Sequence, residues 1–233
     1  MNYWSWETFL DAFPIIVMAI NVTLGLTVTS FLLALIGGFV WLILESTPVK
    51  SFNFIIYWIR EFIRSTPPLV QIFFLYFAWP MVPYVGMSFT PFVAAMIALG
   101  IHFSTYVSEV YRSGIESVDK GQWEASTALN LSMKDKWFNV VLPQALPPTI
   151  PMLGNYLIIL FKEVPLAATI GVVGILSTAR SYGAQTWSYL EPLTIVAILF
   201  LVLSYPSALL IRALEKKVNR RFDKKKMKVK VTE

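Results

Sequence analysis

The sequence predicts an all-α integral membrane protein with five transmembrane helices, N-terminus outside and C-terminus cytoplasmic. Three observations carry this. First, 56% of the 233 residues are hydrophobic and 14% are charged, with a mean hydropathy of +0.63, which is too apolar for an ordinary soluble domain. Second, no charge interrupts Ala12 to Leu44, and Glu191 alone interrupts Leu190 to Ile211, whereas about 20 residues suffice for a helix to cross a bilayer. Third, the Lys and Arg residues gather on one side of the predicted spans. Three lie between the first and second spans, four between the third and fourth, and ten after Ile211, against Arg180 on the other side and Lys162 in an apolar stretch. By the positive-inside rule those loops and the C-terminus are cytoplasmic, which requires an odd number of spans.

The spans fall at about 13–44, 67–82, 91–111, 148–161 and 190–214. Residues 1–12 form an external segment, 112–147 a cytoplasmic loop and 215–233 a basic cytoplasmic tail. The acidic start and the long apolar run that follows read as an anchor, not a cleavable signal peptide. Ahead of the second span, "FNFIIYWIREFIRS" interleaves Phe54, Tyr57, Trp58 and Phe62 with Arg60, Glu61 and Arg64. That pattern suits a helix lying at the membrane interface before the chain dives at "TPPL"; the alternative is a continuation of the second span. In the third span Gly100, Ser104 and Ser108 recur every four residues, as do Ala94 and Ala98, which leaves one face open to close helix approach.

The longest polar stretch lies between the third and fourth spans, and its punctuation is complete. Asp119 caps a helix through "KGQWEASTAL", and Asn130 stands where a left-handed residue would close it. Ser132 and Asp135 form an S-x-x-D box that opens a second helix, "KDKWFNVV", expected to stop at Pro143. Ala125, Ser126 and Ala128 are small enough to admit another surface, and Glu124 offers a charge to a basic partner. Two readings stand from the residues alone: a knob held in a cleft of a second protein, or an amphipathic loop resting on the membrane.

Several chemistries are excluded. With no cysteine and one histidine, disulfides, thiolate sites and His-rich metal clusters are out, and no H-E-x-x-H occurs. No G-x-x-x-x-G-K-[ST] loop is present, nor any Gly-Lys dipeptide, so the chain is not expected to hydrolyse ATP or to carry a cofactor. The formal net charge of +5 resides in the tail, where it serves as a topology anchor on anionic lipid or as a contact for a partner; nucleic acid is not implied. Lys162 and Glu163 are ionisable residues near membrane depth, facing either a pathway or the outer surface at a helix end marked by Pro165. His102, central in the third span, is either a hydrogen-bonded packing residue or a solute contact.

The spacing E-A-A, three residues, G, nine residues, I-x-L-P is the signature of permease subunits of bacterial ABC importers. Residues Glu124, Ala125, Ser126, Asn130, Val140, Leu142 and Pro143 resemble it, with Ser, Asn and Val replacing the second Ala, the Gly and the Ile. "REFIRSTPPLVQIFFLYF", "VSEVYRSGIESVDKGQWEAS", "VVLPQALPPTIPMLGNYLI" and "FKEVPLAATIGV" extend the likeness to the polar amino-acid uptake permeases over residues 19–214. The departures are "FKEVPL" where that subfamily has K-D-T-S-L, and Leu146, Pro147 and Pro148 where a basic residue often follows "LPQA". The resemblance implies a type I importer permease in the bacterial inner membrane. It implies as partners a cytoplasmic ATPase pair, a second permease subunit, identical or related, and an external solute-binding protein. It further implies that Gly121, Glu124, Ala125, Ser126, Asn130, Leu142 and Pro143 couple to the ATPase, with Lys162, Glu163 and His102 as candidates for the pathway. Against this stand a secondary carrier or passive channel, which inverted repeats would favour, and a membrane enzyme.

Overall fold

A computed structural model describes residues 4–230, with side chains through Val218, so most of the basic residues of the tail lie outside the described side chains. Every regular element among the described residues is helical: α1 (Trp6–Met18), α2 (Ile20–Glu45), α3 (Lys50–Ser65), α4 (Pro68–Phe73), α5 (Pro91–Glu116), α6 (Lys120–Ala128), α7 (Met133–Asp135), α8 (Leu142–Glu163), α9 (Ile175–Thr186) and α10 (Leu190–Lys230). Four helical runs are long and apolar enough to cross a membrane: Trp6–Glu45, Pro91–Glu116, Met133–Ile170 and Leu190–Val218. The predicted second span corresponds to the shorter apolar run Pro68–Met81.

The packing is inverted relative to a water-soluble protein. On α2 the buried residues are Thr23, Leu26, Thr27, Ser30, Ala34 and Gly38, while Leu24, Val28, Leu32, Ile36 and Val40 face outward at four-residue spacing. Small and hydroxyl-bearing residues inside, with large apolar ones outside, is what lipid selects. Lipid gives no hydrophobic drive to bury bulk, so helices associate by close backbone approach. The stripe read from α5 is that surface: Ala94, Ala98, Gly100, Ser104 and Ser108 are all buried, and α2 is their main partner. Gly37 lies against Ser104, Gly38 against Val107 and Ser108, and Gly100 against Leu33, so side chains there would force the helices apart. Trp41 Nε1 donates to Ser104 Oγ at 2.9 Å, and the Tyr111 hydroxyl donates to the Leu35 carbonyl.

Three expected boundaries differ. Helix begins at Trp6, inside the expected external segment, and the first span is broken at Ala19. There the Thr23 hydroxyl competes with its own N–H for the Ala19 carbonyl, and the same hydroxyl accepts from the Ile175 N–H at the start of α9. Trp6 to Glu45 spans 40 residues, or about 60 Å of helix, twice what a bilayer core requires. α1 packs instead on α9 and α10 through Ala12, Ile16, Ile175, Ala179 and Ile195.

The second difference concerns Pro143, expected to stop the hairpin's second helix, and the third the fourth span, expected to start at Pro148. The helix runs on from Met133 through Pro143, Pro147, Pro148 and Pro151 to Glu163. Residues Lys136–Val141 widen into a π-turn in which Leu142 N–H reaches Trp137 O, five residues back. A proline placed just after a widened turn meets backbone that has left the tight α ladder, which relieves the usual clash of its ring with the carbonyl four residues back. Pro165 does mark a change: α8 ends at Glu163 and a 3₁₀ stretch, Val164–Ile170, follows.

The break between α3 and α4 is as read. Thr66 and Pro67 are both extended, and helix restarts at Pro68. α3 presents Phe54, Trp58 and Phe62 outward while burying Ile56 and Arg60.

Candidate functional site

The polar stretch folds as a hairpin, closed by the capping groups its sequence supplies. Asp119 Oδ1 accepts from the Gly121 N–H at 2.7 Å, and Asp119 is the N-cap of α6. Asn130 is left-handed, at φ 53°. The Leu131 N–H reaches Ser126 O at 3.1 Å and the Asn130 N–H reaches Thr127 O at 2.9 Å, the paired bonds of a Schellman ending with Asn in the place glycine usually takes. Ser132 Oγ then accepts from the Asp135 N–H at 3.1 Å and donates to the Asp135 carboxylate at 2.6 Å, opening α7.

Its two arms are locked together. The rings of Trp123 and Trp137 meet edge to face, 5.7 Å apart and at 84°. They pack on a cluster of Val118, Val141 and Ala145 with Ile115 beside it, a small core separate from the main one. Lys136 Nζ donates to Thr127 Oγ1 at 3.0 Å, and Gln144 Nε2 donates to Gln122 Oε1 at 3.2 Å. Through Ile115 at the end of α5 and Ala145 near the start of α8, this small core joins α6 to two long apolar helices.

Gly121, Glu124, Ala125 and Asn130 lie exposed on or beside α6, and Glu124 joins Trp123, Thr127 and Ala128 around a shallow depression. Ser126 faces the other way. It is 2% exposed, and its hydroxyl donates to Trp123 O at 2.8 Å, so in the free chain it is a packing residue. Leu142 and Pro143 sit at the root of the hairpin, Leu142 half-buried and Pro143 exposed.

The pathway candidates are not brought together by any hydrogen bond or ion pair among the described residues. Lys162 is exposed and Glu163 half-buried, both in the last turn of α8. His102 is buried in α5, with Nδ1 3.1 Å from Gln71 Nε2. Gln71 also donates to Ile63 O at 2.7 Å, so His102 links α5 to the α3–α4 break.

One assembly was not foreseen. Arg60 and Arg64, read as topology charges and as polar positions of an interfacial helix, and Arg112, read as a topology charge, belong to an ionic network across α2, α3 and α5. Arg60 pairs with Glu45 at 2.7 Å and approaches Glu109 at 3.9 Å, Arg64 pairs with Glu109, and Arg112 pairs with Glu45. Arg64 also lies over the Tyr106 ring, 5.0 Å from its centroid. The available signal was that Glu45 and Glu109 fall toward the same ends of apolar helices as the arginines.

A bundle with small residues inside, large apolar ones outside and a capped polar hairpin at one end defines a multi-pass membrane protein. Comparison with known proteins gives the class. Residues 42–220 match the family described as binding-protein-dependent transport system inner membrane component. A probable amino-acid ABC transporter permease protein of Sinorhizobium fredii is 36% identical over 212 residues, covering 91% of this chain and 90% of that protein. The arginine transport system permease protein of Bacillus subtilis is 33% identical, with 88% and 93% covered. A crystal structure of an amino acid ABC transporter with histidines matches with TM-score 0.83 and 28% identity, covering 92% of this chain and 99% of that one. An inward-facing structure of the MetNI methionine ABC transporter matches with TM-score 0.69 at 18% identity and speaks to the fold alone. The chain belongs to the family of inner-membrane permease components of binding-protein-dependent ABC transporters. Such permeases are not enzymes; the ATPase is a separate subunit.

Proposed function

We propose that this chain is the transmembrane permease subunit of an importer for a polar amino acid or related zwitterionic solute, delivered by an external binding protein. The carrying observation is the locked hairpin: Glu124, Ala125 and Ala128 are presented to solvent from a helix that packs, through Trp123 and Trp137, on Ile115 of α5 and Ala145 of α8. The solute class rests on the relatives named for amino-acid, arginine and L-cystine transport.

In this reading the hairpin is cytoplasmic and the N-terminus external, with Pro68–Met81 completing five crossings. Closure of an ATPase pair pulls α6 and drives the bundle between its outward- and inward-open states. Two permease subunits, identical or related, enclose the pathway, with Lys162, Glu163 and His102 as candidate lining groups.

The test is Glu124→Arg in the complex reconstituted into vesicles. ATP-dependent uptake is expected to fall to background while membrane insertion is retained, because an exposed residue away from packing alters stability by only about 0.5 kcal/mol. Uptake at the unmodified level, or uptake by the native complex without ATP, would refute the proposal.

A further inference from the structure

A groove of about 750 Å³ opens at the root of the hairpin, between the inner ends of α2 and α5 and the start of α8. Its walls are apolar, with Phe39 and Ile43 on one side and Phe138, Leu142 and Leu146 on the other, all but Leu142 exposed. Glu45, Arg112 and Glu116 occur only toward the inner helix ends. Phe39 stands about 9 Å along α2 from Glu45, at 1.5 Å per residue. The groove therefore passes from acyl-chain depth to headgroup depth.

We propose that this groove holds one glycerophospholipid whose headgroup carries a phosphate and a primary ammonium. The charge at the mouth selects it. Glu45 is shared by Arg60 and Arg112, so with Glu116 the mouth is balanced in charge: it offers one donor group and one free carboxylate to a zwitterion and no surplus of positive charge to a net anion. Arg112 gives part of its five-donor fork to Glu45 and is 44% exposed, leaving donors for a phosphate. Glu116, one turn further along the same face, is exposed and has no ion-pair partner among the described residues. It is placed to accept from an ammonium one turn from the phosphate. A quaternary ammonium could not donate that bond. Trp137 lines both the groove and the small hairpin core, so a lipid seated here buttresses the coupling arm.

The full-length chain, purified in detergent and stripped of lipid, is titrated in native mass spectrometry with phosphatidylethanolamine, phosphatidylcholine and phosphatidylglycerol of one acyl composition. The ethanolamine lipid is expected to be retained about tenfold more strongly than the other two, and Glu116→Gln to remove that preference. Leu146→Trp, which fills the groove, is expected to abolish retention of all three. Equal retention of the glycerol lipid, or an unchanged preference in Glu116→Gln, overturns the proposal. Because the chain has no cysteine, Leu146→Cys provides a single reactive site. A cross-link from it to a second copy or to an ATPase subunit in native membranes would show that protein fills the groove, and would overturn the proposal equally.

Discussion

The α2–α5 seam and the α6–α7 hairpin are both well specified, by opposite means. The seam buries Gly38, Ala94, Gly100 and Ser104 and works by letting two backbones touch, with Glu45, Arg60 and Glu109 tying one of its ends to α3. The hairpin has little to bury, and it closes every backbone end with a cap before stapling its arms with Trp123 and Trp137. The seam sets the shape within lipid, while the hairpin sets the position of a surface in water. Damage to the first should therefore unfold the protein, and damage to the second should leave it folded but loosely coupled.

Four substitutions test that contrast, in falling order of effect. Glu45→Ala leaves the buried Arg60 with only the distant Glu109 and should cost about 3 kcal/mol, read as a lowered Tm in detergent. Gly38→Leu drives a side chain into Val107 and should cost about 2 kcal/mol by the same measurement. Trp123→Ala removes a half-buried ring from the edge-to-face pair and should weaken the hairpin by about 1 kcal/mol. Its signature is faster hydrogen exchange over residues 120–141 with Tm nearly unchanged. Asp119→Ala removes the α6 cap, also worth about 1 kcal/mol or less, and should raise exchange only near residues 120–122. A loss of Tm from either hairpin variant as large as that from Gly38→Leu would erase the distinction.

The same contrast explains what could be read from the sequence. Local rules carry the hairpin: Asp119, Asn130, Ser132 and Asp135 each act within three or so residues, and each is where the sequence places it. The small-residue face of α5 was legible because periodicity is also local. Long-range pairing was not. The placement of Glu45 at a helix end beside several arginines does not say that Arg60 and Arg112 are the two that share it, and nothing near Thr23 says that it binds the start of α9. Pro143 misled because its usual cost was avoided by a widened turn, a device with no fixed residue signature. Ser126 was expected on the docking face, yet α6 turns it inward; helical phase alone, without knowing where Trp123 packs, left that open.

The central claim is that the hairpin is the handle by which a separate ATPase moves this bundle. With no native cysteine, Ala128→Cys gives one reactive site on the exposed face of α6. Cross-linking it within the complete complex, in the presence and absence of ATP, tests the claim directly. A covalent adduct with the ATPase subunit that blocks uptake is the predicted result. An adduct-free complex with the ATPase bound elsewhere, or an adduct that leaves uptake untouched, would contradict it.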